Sequence, residues 1–102
     1  RLEDSLVSEI DRHRRYGQPL SILFVDIDNF KTINDNFGHE EGDKVLLSVS
    51  EELSSQLRQT DHIARLGGDE FAVLLPETDF NSAEVIINKS RNNLLDRMKK
   101  NS

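Results

Sequence analysis

The sequence predicts an α+β domain: a ferredoxin-like βαββα(β) sheet with helices packed on it and its C-terminal part cut short. Three observations carry that prediction. Two apolar runs, residues 22–25 and 72–75, have the length of buried strands and are far too short to span a bilayer. Several other segments repeat apolar residues every three or four positions, as amphipathic helices do. A Gly-Gly-Asp-Glu stretch, residues 67–70, separates two strand candidates and reads as a hairpin turn.

In chain order, residues 1–16 place Leu2, Leu6 and Ile10 on one stripe among charges, and Gly17-Gln18-Pro19 stops that helix. Residues 20–28 (LSILFVDID) form a strand apolar on both faces and ending in carboxylates. Residues 29–37 carry Phe30, Ile33 and Phe37 at helical spacing, with Gly38 able to close the helix in a left-handed conformation. Val45, Val49, Leu53 and Leu57 mark a longer helix over residues 41–59. Residues 62–66 and 71–75 are the arms of the hairpin, and Pro76 ends the second. Residues 81–99 carry Ala83, Val85, Ile86, Ile87, Leu94, Leu95 and Met98 in a final helix. A lone hairpin cannot bury its face, so the strand from Leu20 should join it, with helices on one side.

The 102 residues suffice for one domain, taken here as 1–102. A hydrophobic content of 35% allows a modest core, and the net charge of −6 describes an acidic surface. That charge argues against a nucleic-acid groove, which needs clustered basic residues, but not against a single nucleotide. The absence of cysteine removes disulfides and thiolate metal sites. No signal-peptide pattern opens the chain and no run is long enough to span a membrane; a cytoplasmic domain is expected, in a parent that other domains could attach to a membrane. Residue 1 is arginine, so a piece of a longer polypeptide is expected.

Four groups of residues could carry chemistry. Asp26 and Asp28 alternate with Ile27 at the strand's end and should project to one side. Carboxylates there are costly unless solvated or met by a cation such as Mg²⁺. Asp69 and Glu70 sit at the hairpin turn, where Gly67 and Gly68 permit positive φ and close approach of a ligand. If the strand from Leu20 lies beside the hairpin, Asp26 and Asp69 converge from separate strands, as in two-metal phosphoryl-transfer sites. Lys31, Asn34, His39 and Asp43 follow closely; an amide and a carboxylate can read guanine, and a lysine can neutralise phosphate. Read alone, these four are ordinary helix-end and surface residues. Arg58 and Asp61 could hold a phosphate or a guanine edge, or simply each other.

All four groups occur in the order and spacing of one family. FVDIDNFKTIND, FGHEEGDKVL and RLGGDEF resemble the GGDEF domains of diguanylate cyclases, from Leu20 through the final helix. The resemblance implies the fold of nucleotidyl cyclase and polymerase palm domains, and the condensation of two GTP into cyclic di-GMP with release of pyrophosphate. It implies that Asp26, Asp69 and the Ile27 carbonyl hold Mg²⁺ or Mn²⁺, two ions per half-site. Asp69 would also accept the 3′-hydroxyl proton, Glu70 would support the metals, and Lys31 would stabilise the reacting phosphates. Asn29 and Phe30 would offer backbone N–H groups to phosphate, Asn34 and Asp43 would bind guanine, and His39 would line the pocket. Arg58 and Asp61 match the family's RxxD product-inhibition motif, with Lys89 or Arg91 assisting. A homodimer and an attached sensory domain are implied, the signal entering through helix 1–16. The usual DxLTGLxNRR opening is absent, and the later strand and helix lie beyond Ser102, so the 102 residues alone should be weakly active or inactive. A non-catalytic GGDEF receptor for GTP or cyclic di-GMP is the alternative, and a plain interaction module ranks last.

Overall fold

A computed structural model describes residues 2–100, with side chains for 3–97. Arg1 and the side chains of Leu2 and Met98, expected on the buried stripes, lie outside the described residues. The elements are α1 (Leu2–Tyr16), β1 (Leu20–Asp26), α2 (Phe30–Phe37), α3 (His39–Ser55), β2 (His62–Arg65), β3 (Glu70–Pro76) and α4 (Phe80–Lys100). The three strands form one antiparallel sheet in the order β1-β3-β2. The expected joining of the first strand to the hairpin is therefore met, with β3 in the centre.

Position in the sheet explains the burial. Every residue of β3 from Phe71 to Pro76 is buried, because both neighbours and both faces cover it. On one face Phe71, Val73 and Leu75 join Leu46, Val49 and Leu53 of α3 and Ala83 of α4 in a single cluster. Leu23 and Val25 of β1 and Ile63 of β2 pack against its edge, in keeping with the registers Leu23↔Val73 and Ile63↔Val73. Leu75 is wholly buried; truncating it to alanine should cost about 2–5 kcal/mol. Leu74 points the other way and is equally buried. Helix α1 touches both edge strands but, among the described residues, adds nothing to the first cluster; it crosses the second face. Helices thus cover both faces rather than one. On that second face Ile22 and Phe24 of the edge strand β1 remain exposed.

Several expected boundaries move, each for a local reason. The first strand ends at Asp26 rather than Asp28, since Asn29 adopts a left-handed conformation (φ 60, ψ 27) that turns the chain into α2. Asparagine tolerates this better than most residues. Gly38, at φ 90, separates α2 from α3, which starts two residues earlier than its apolar stripe suggests. The same helix stops at Ser55 instead of residue 59, where the N–H groups of Gln56 and Leu57 turn back to Leu53 and Ser54. Helix α4 begins at Phe80 because Asp79 caps it: its Oδ1 accepts the Ser82 N–H at 2.8 Å. Val85 and Leu95, expected on its buried stripe, are exposed, whereas Ala83 and Ser90 are buried. No helix among the described residues is long and apolar enough to cross a membrane.

Candidate active site

The site lies where β1 ends beside the start of β3. Asp26 is in register with Glu70, and one step further the Ile27 N–H donates to the Asp69 carbonyl at 3.1 Å. That bond fixes the β1–α2 connection to the hairpin turn. It brings the Asp26 and Asp69 side chains together. A hydrogen bond with Asp69 is the largest influence on Asp26 and raises its pKa. Partial desolvation and the charges of Asp69 and Glu70 push the same way, against a lowering contribution from the Ile27 N–H. A neighbouring carboxylate favours the protonated form of Asp26, and a cation between the two would favour the ionised form instead.

The approach of Asp26 to Asp69 is the expected one; what changes is Asp28. Asp28 lies in the turn beyond the strand, so strand alternation does not carry to it, and Asp26 responds to Asp69 and Glu70 instead. Among the described residues no three acidic, histidine or cysteine side chains converge. Two carboxylates and a carbonyl nevertheless suit a hard dication that keeps waters and takes its remaining oxygens from substrate.

The turn itself, residues 66–69, is closed by the Leu66 N–H donating to Glu70 at 2.8 Å. Gly67 and Gly68 do not adopt the positive φ expected of them. A Cβ added to either would meet nothing within 4 Å. No packing within the chain calls for glycine at these two positions. What they provide is bare backbone facing outward. Arg65, which no sequence signal marks as functional, donates from its guanidinium to the carbonyls of both glycines, at 2.9 and 2.8 Å.

Further along, α2 and α3 meet at Gly42. A Cβ there would run into the Asn34 amide, 2.9 Å from its Cγ, and stand 3.3 Å from the Phe30 ring, so glycine is what lets the Asn34 side chain lie where it does. Phe30 packs against the core cluster. The Asn34 Oδ1 is buried and accepts no hydrogen bond, a costly state for a polar atom. Asp43, next to Gly42, lines an open groove of about 390 Å³ with Leu46, Leu47, Ile63, Arg65 and Phe71. Lys31 and His39 are exposed on α2 and α3 without ion-pair partners among the described residues.

Arg58 and Asp61 are joined to each other. Arg58 Nη2 donates to Asp61 Oδ1 at 3.0 Å, to the Pro76 carbonyl at 2.6 Å and to Thr78 Oγ1 at 2.9 Å. Asp61 Oδ2 accepts the Arg58 backbone N–H at 2.8 Å. The motif therefore locks the α3–β2 loop onto the end of β3. Lys89 and Arg91 are exposed on α4 and pair with neither residue among those described.

The family model for the diguanylate cyclase GGDEF domain matches residues 1–102. The chain belongs to the GGDEF family. It is 47% identical over 90 residues to the diguanylate cyclase DgcP of Pseudomonas aeruginosa, covering 88% of this chain and 13% of that protein. Among solved structures, the active GGEEF domain of a diguanylate cyclase from Vibrio cholerae matches with a TM-score of 0.80 and 37% identity, over 84% of this chain and 55% of that one. The GGDEF domain of DgcB from Caulobacter crescentus, solved with c-di-GMP, matches with a TM-score of 0.84 and 28% identity, over 88% and 53%. This GGDEF chain thus spans about half of those solved chains and a small part of DgcP.

Proposed function

We propose that this GGDEF domain serves a diguanylate cyclase, condensing two GTP molecules into cyclic di-GMP. The observation that carries the reading is the convergence of Asp26 and Asp69 beside an outward-facing glycine turn. Two carboxylates held together, with bare backbone next to them, suit a triphosphate and its cations. The buried, unpartnered Asn34 Oδ1 adds to it, since guanine brings N–H donors to that atom. Asp43 on the neighbouring groove would take the remaining donors.

In this reading Asp26, Asp69 and the Ile27 carbonyl would hold two divalent cations, Mg²⁺ or Mn²⁺, whose chemistry there would be to offset phosphate charge and acidify the 3′-hydroxyl. The 3′-oxygen of each GTP bonds to the α-phosphorus of the other, and the bond to the leaving pyrophosphate breaks. Asp69 accepts the hydroxyl proton, Glu70 supports the acidic pair, and Lys31 steadies the charge on the phosphates. Asn29 and Phe30 present backbone N–H groups, and His39 borders the pocket. One domain holds one GTP, so two copies must face each other, and helix α1 is the natural entry for a signal from an attached sensor. Arg58 and Asp61, with Lys89, would bind the product and restrain synthesis. The intact acidic pair favours catalysis over a receptor role.

The test is incubation of the full-length protein with GTP and Mg²⁺, with products separated by chromatography. Cyclic di-GMP and pyrophosphate should appear, and the Asp69→Ala protein should make neither. Normal synthesis by that variant would sink the metal role. The 102-residue chain assayed alone should turn over weakly or not at all.

A further inference from the structure

Arg65 ends β2 just before the turn and belongs to none of the roles above. Its Nε donates to the Gly67 carbonyl at 2.9 Å and its Nη2 to the Gly68 carbonyl at 2.8 Å. A planar fork can hold two successive carbonyls in this way, which an ammonium on a flexible stem cannot. In a trans peptide the N–H points opposite to the C=O. Drawing both carbonyls toward the guanidinium therefore aims the N–H groups of Gly68 and Asp69 to the other side. Neither of these N–H groups donates a hydrogen bond among the described residues. Adjacent free N–H groups form a concavity suited to an anion, and no side chain crowds the glycines.

We propose that Arg65 is a positioning residue, holding the turn so that the Gly68 and Asp69 N–H groups receive the phosphates of the nucleotide. This rests on the GTP reading and adds to it a residue that acts through backbone, without touching substrate. The fork also lines the groove that contains Asp43, so one side chain links the phosphate side of the site to the base side.

The experiment compares wild type, Arg65→Lys and Arg65→Ala in the full-length protein. Calorimetry measures affinity for 3′-deoxy-GTP, which cannot react, and for 3′-deoxyguanosine, which lacks phosphates. Both variants should lose roughly tenfold in 3′-deoxy-GTP affinity, about one charge-assisted hydrogen bond. Nucleoside affinity and melting temperature should stay unchanged. Hydrogen exchange at the turn should quicken in both variants without ligand. Full affinity in Arg65→Lys would mean that the charge acts directly, and would overturn the proposal. Equal loss for the nucleoside, or a drop in melting temperature, would show a merely structural role and overturn it as well. A wild type that binds nucleoside and triphosphate equally would instead remove the underlying GTP reading, visible before any substitution is made.

Discussion

Two carboxylate settings in this domain have opposite character. Asp26 and Asp69 meet at the open end of the sheet, and their mutual approach raises the pKa of Asp26. Glu52 lies 3% exposed between α3 and α4. Burial is the largest influence on it and pushes its pKa up, yet the combined effect of its partners lowers it. Its Oε2 accepts from Gln56 at 3.0 Å, Ser55 at 3.2 Å and Asn93 at 3.3 Å, and Arg97 stands 3.8 Å from Oε1. A charge whose needs are met inside the chain serves the fold. A pair left open at the sheet's end, with no cation from the chain beside it among the described residues, is free to meet one from outside in the proposed reading.

The largest expected effect is at the unmet pair. Asp69→Ala should lower cyclic di-GMP synthesis by about a thousandfold or more, the scale of several kcal/mol of lost charge stabilisation. Its melting temperature, read without divalent cation, should hold or rise, because a repelling carboxylate has gone. A clear loss of stability there would break the contrast. Glu52→Ala should do the reverse, costing about 3 kcal/mol of stability by stranding buried donors. Its domains that remain folded should keep their turnover per site.

Acid sharpens the same contrast. The lowered pKa of folded Glu52 means that its ionised form stabilises the fold. That contribution is complete above the ordinary carboxylate range and is lost as pH falls through the folded value. Urea titrations across mildly acidic pH should show a shallower decline of stability for Glu52→Gln than for wild type. An identical acid limb in both proteins would remove Glu52 from the account.

Most of the architecture was legible from period and punctuation. Gly17-Gln18-Pro19 and Gly38 separate the elements where they were expected to, and apolar runs of strand length marked β1 and β3. The meeting of Asp26 and Asp69 also followed, because adjacent strands with acidic ends leave little choice. Other features depended on three-dimensional detail. Glu52 sits three residues after Val49, a position equivalent to core, but only Ser55, Gln56, Asn93 and Arg97 make a buried carboxylate tolerable there, and the last two lie on a distant helix. Nothing in the sequence marks Arg65, because its role depends on where two turn carbonyls point. Gly67 and Gly68 suggested positive φ, yet the four-residue turn closes without it.

A smaller effect is expected where α2 crosses α3. Gly42→Ala puts a Cβ against Asn34 Oδ1. That oxygen ends a movable side chain, so the amide can swing aside, and alanine recovers about 1 kcal/mol of helix propensity. Stability should therefore change little. Guanine recognition should suffer, with GTP affinity down roughly tenfold, the worth of about one polar contact, and discrimination against ATP reduced. Unchanged discrimination would detach Asn34 from the base.

The smallest effect concerns a pair that is both satisfied and, in the proposed reading, a ligand site. Arg58 is committed to Asp61, Pro76 and Thr78 in the free protein, and the Asp61 side chain is almost fully buried. Cyclic di-GMP would have to share or displace those bonds, which weakens its hold and suits a site that answers only to accumulated product. Arg58→Ala should raise the concentration of cyclic di-GMP needed for half-inhibition severalfold while leaving initial turnover largely intact. It should also cost roughly 1 kcal/mol of stability, the scale of a partly exposed ion pair, because Asp61 keeps its bond from the Arg58 backbone N–H. Inhibition curves and thermal melts of the same preparation separate the two roles. Loss of stability with inhibition unchanged would make the motif a loop lock alone, and place it with Glu52 among the charges whose needs are met within the fold.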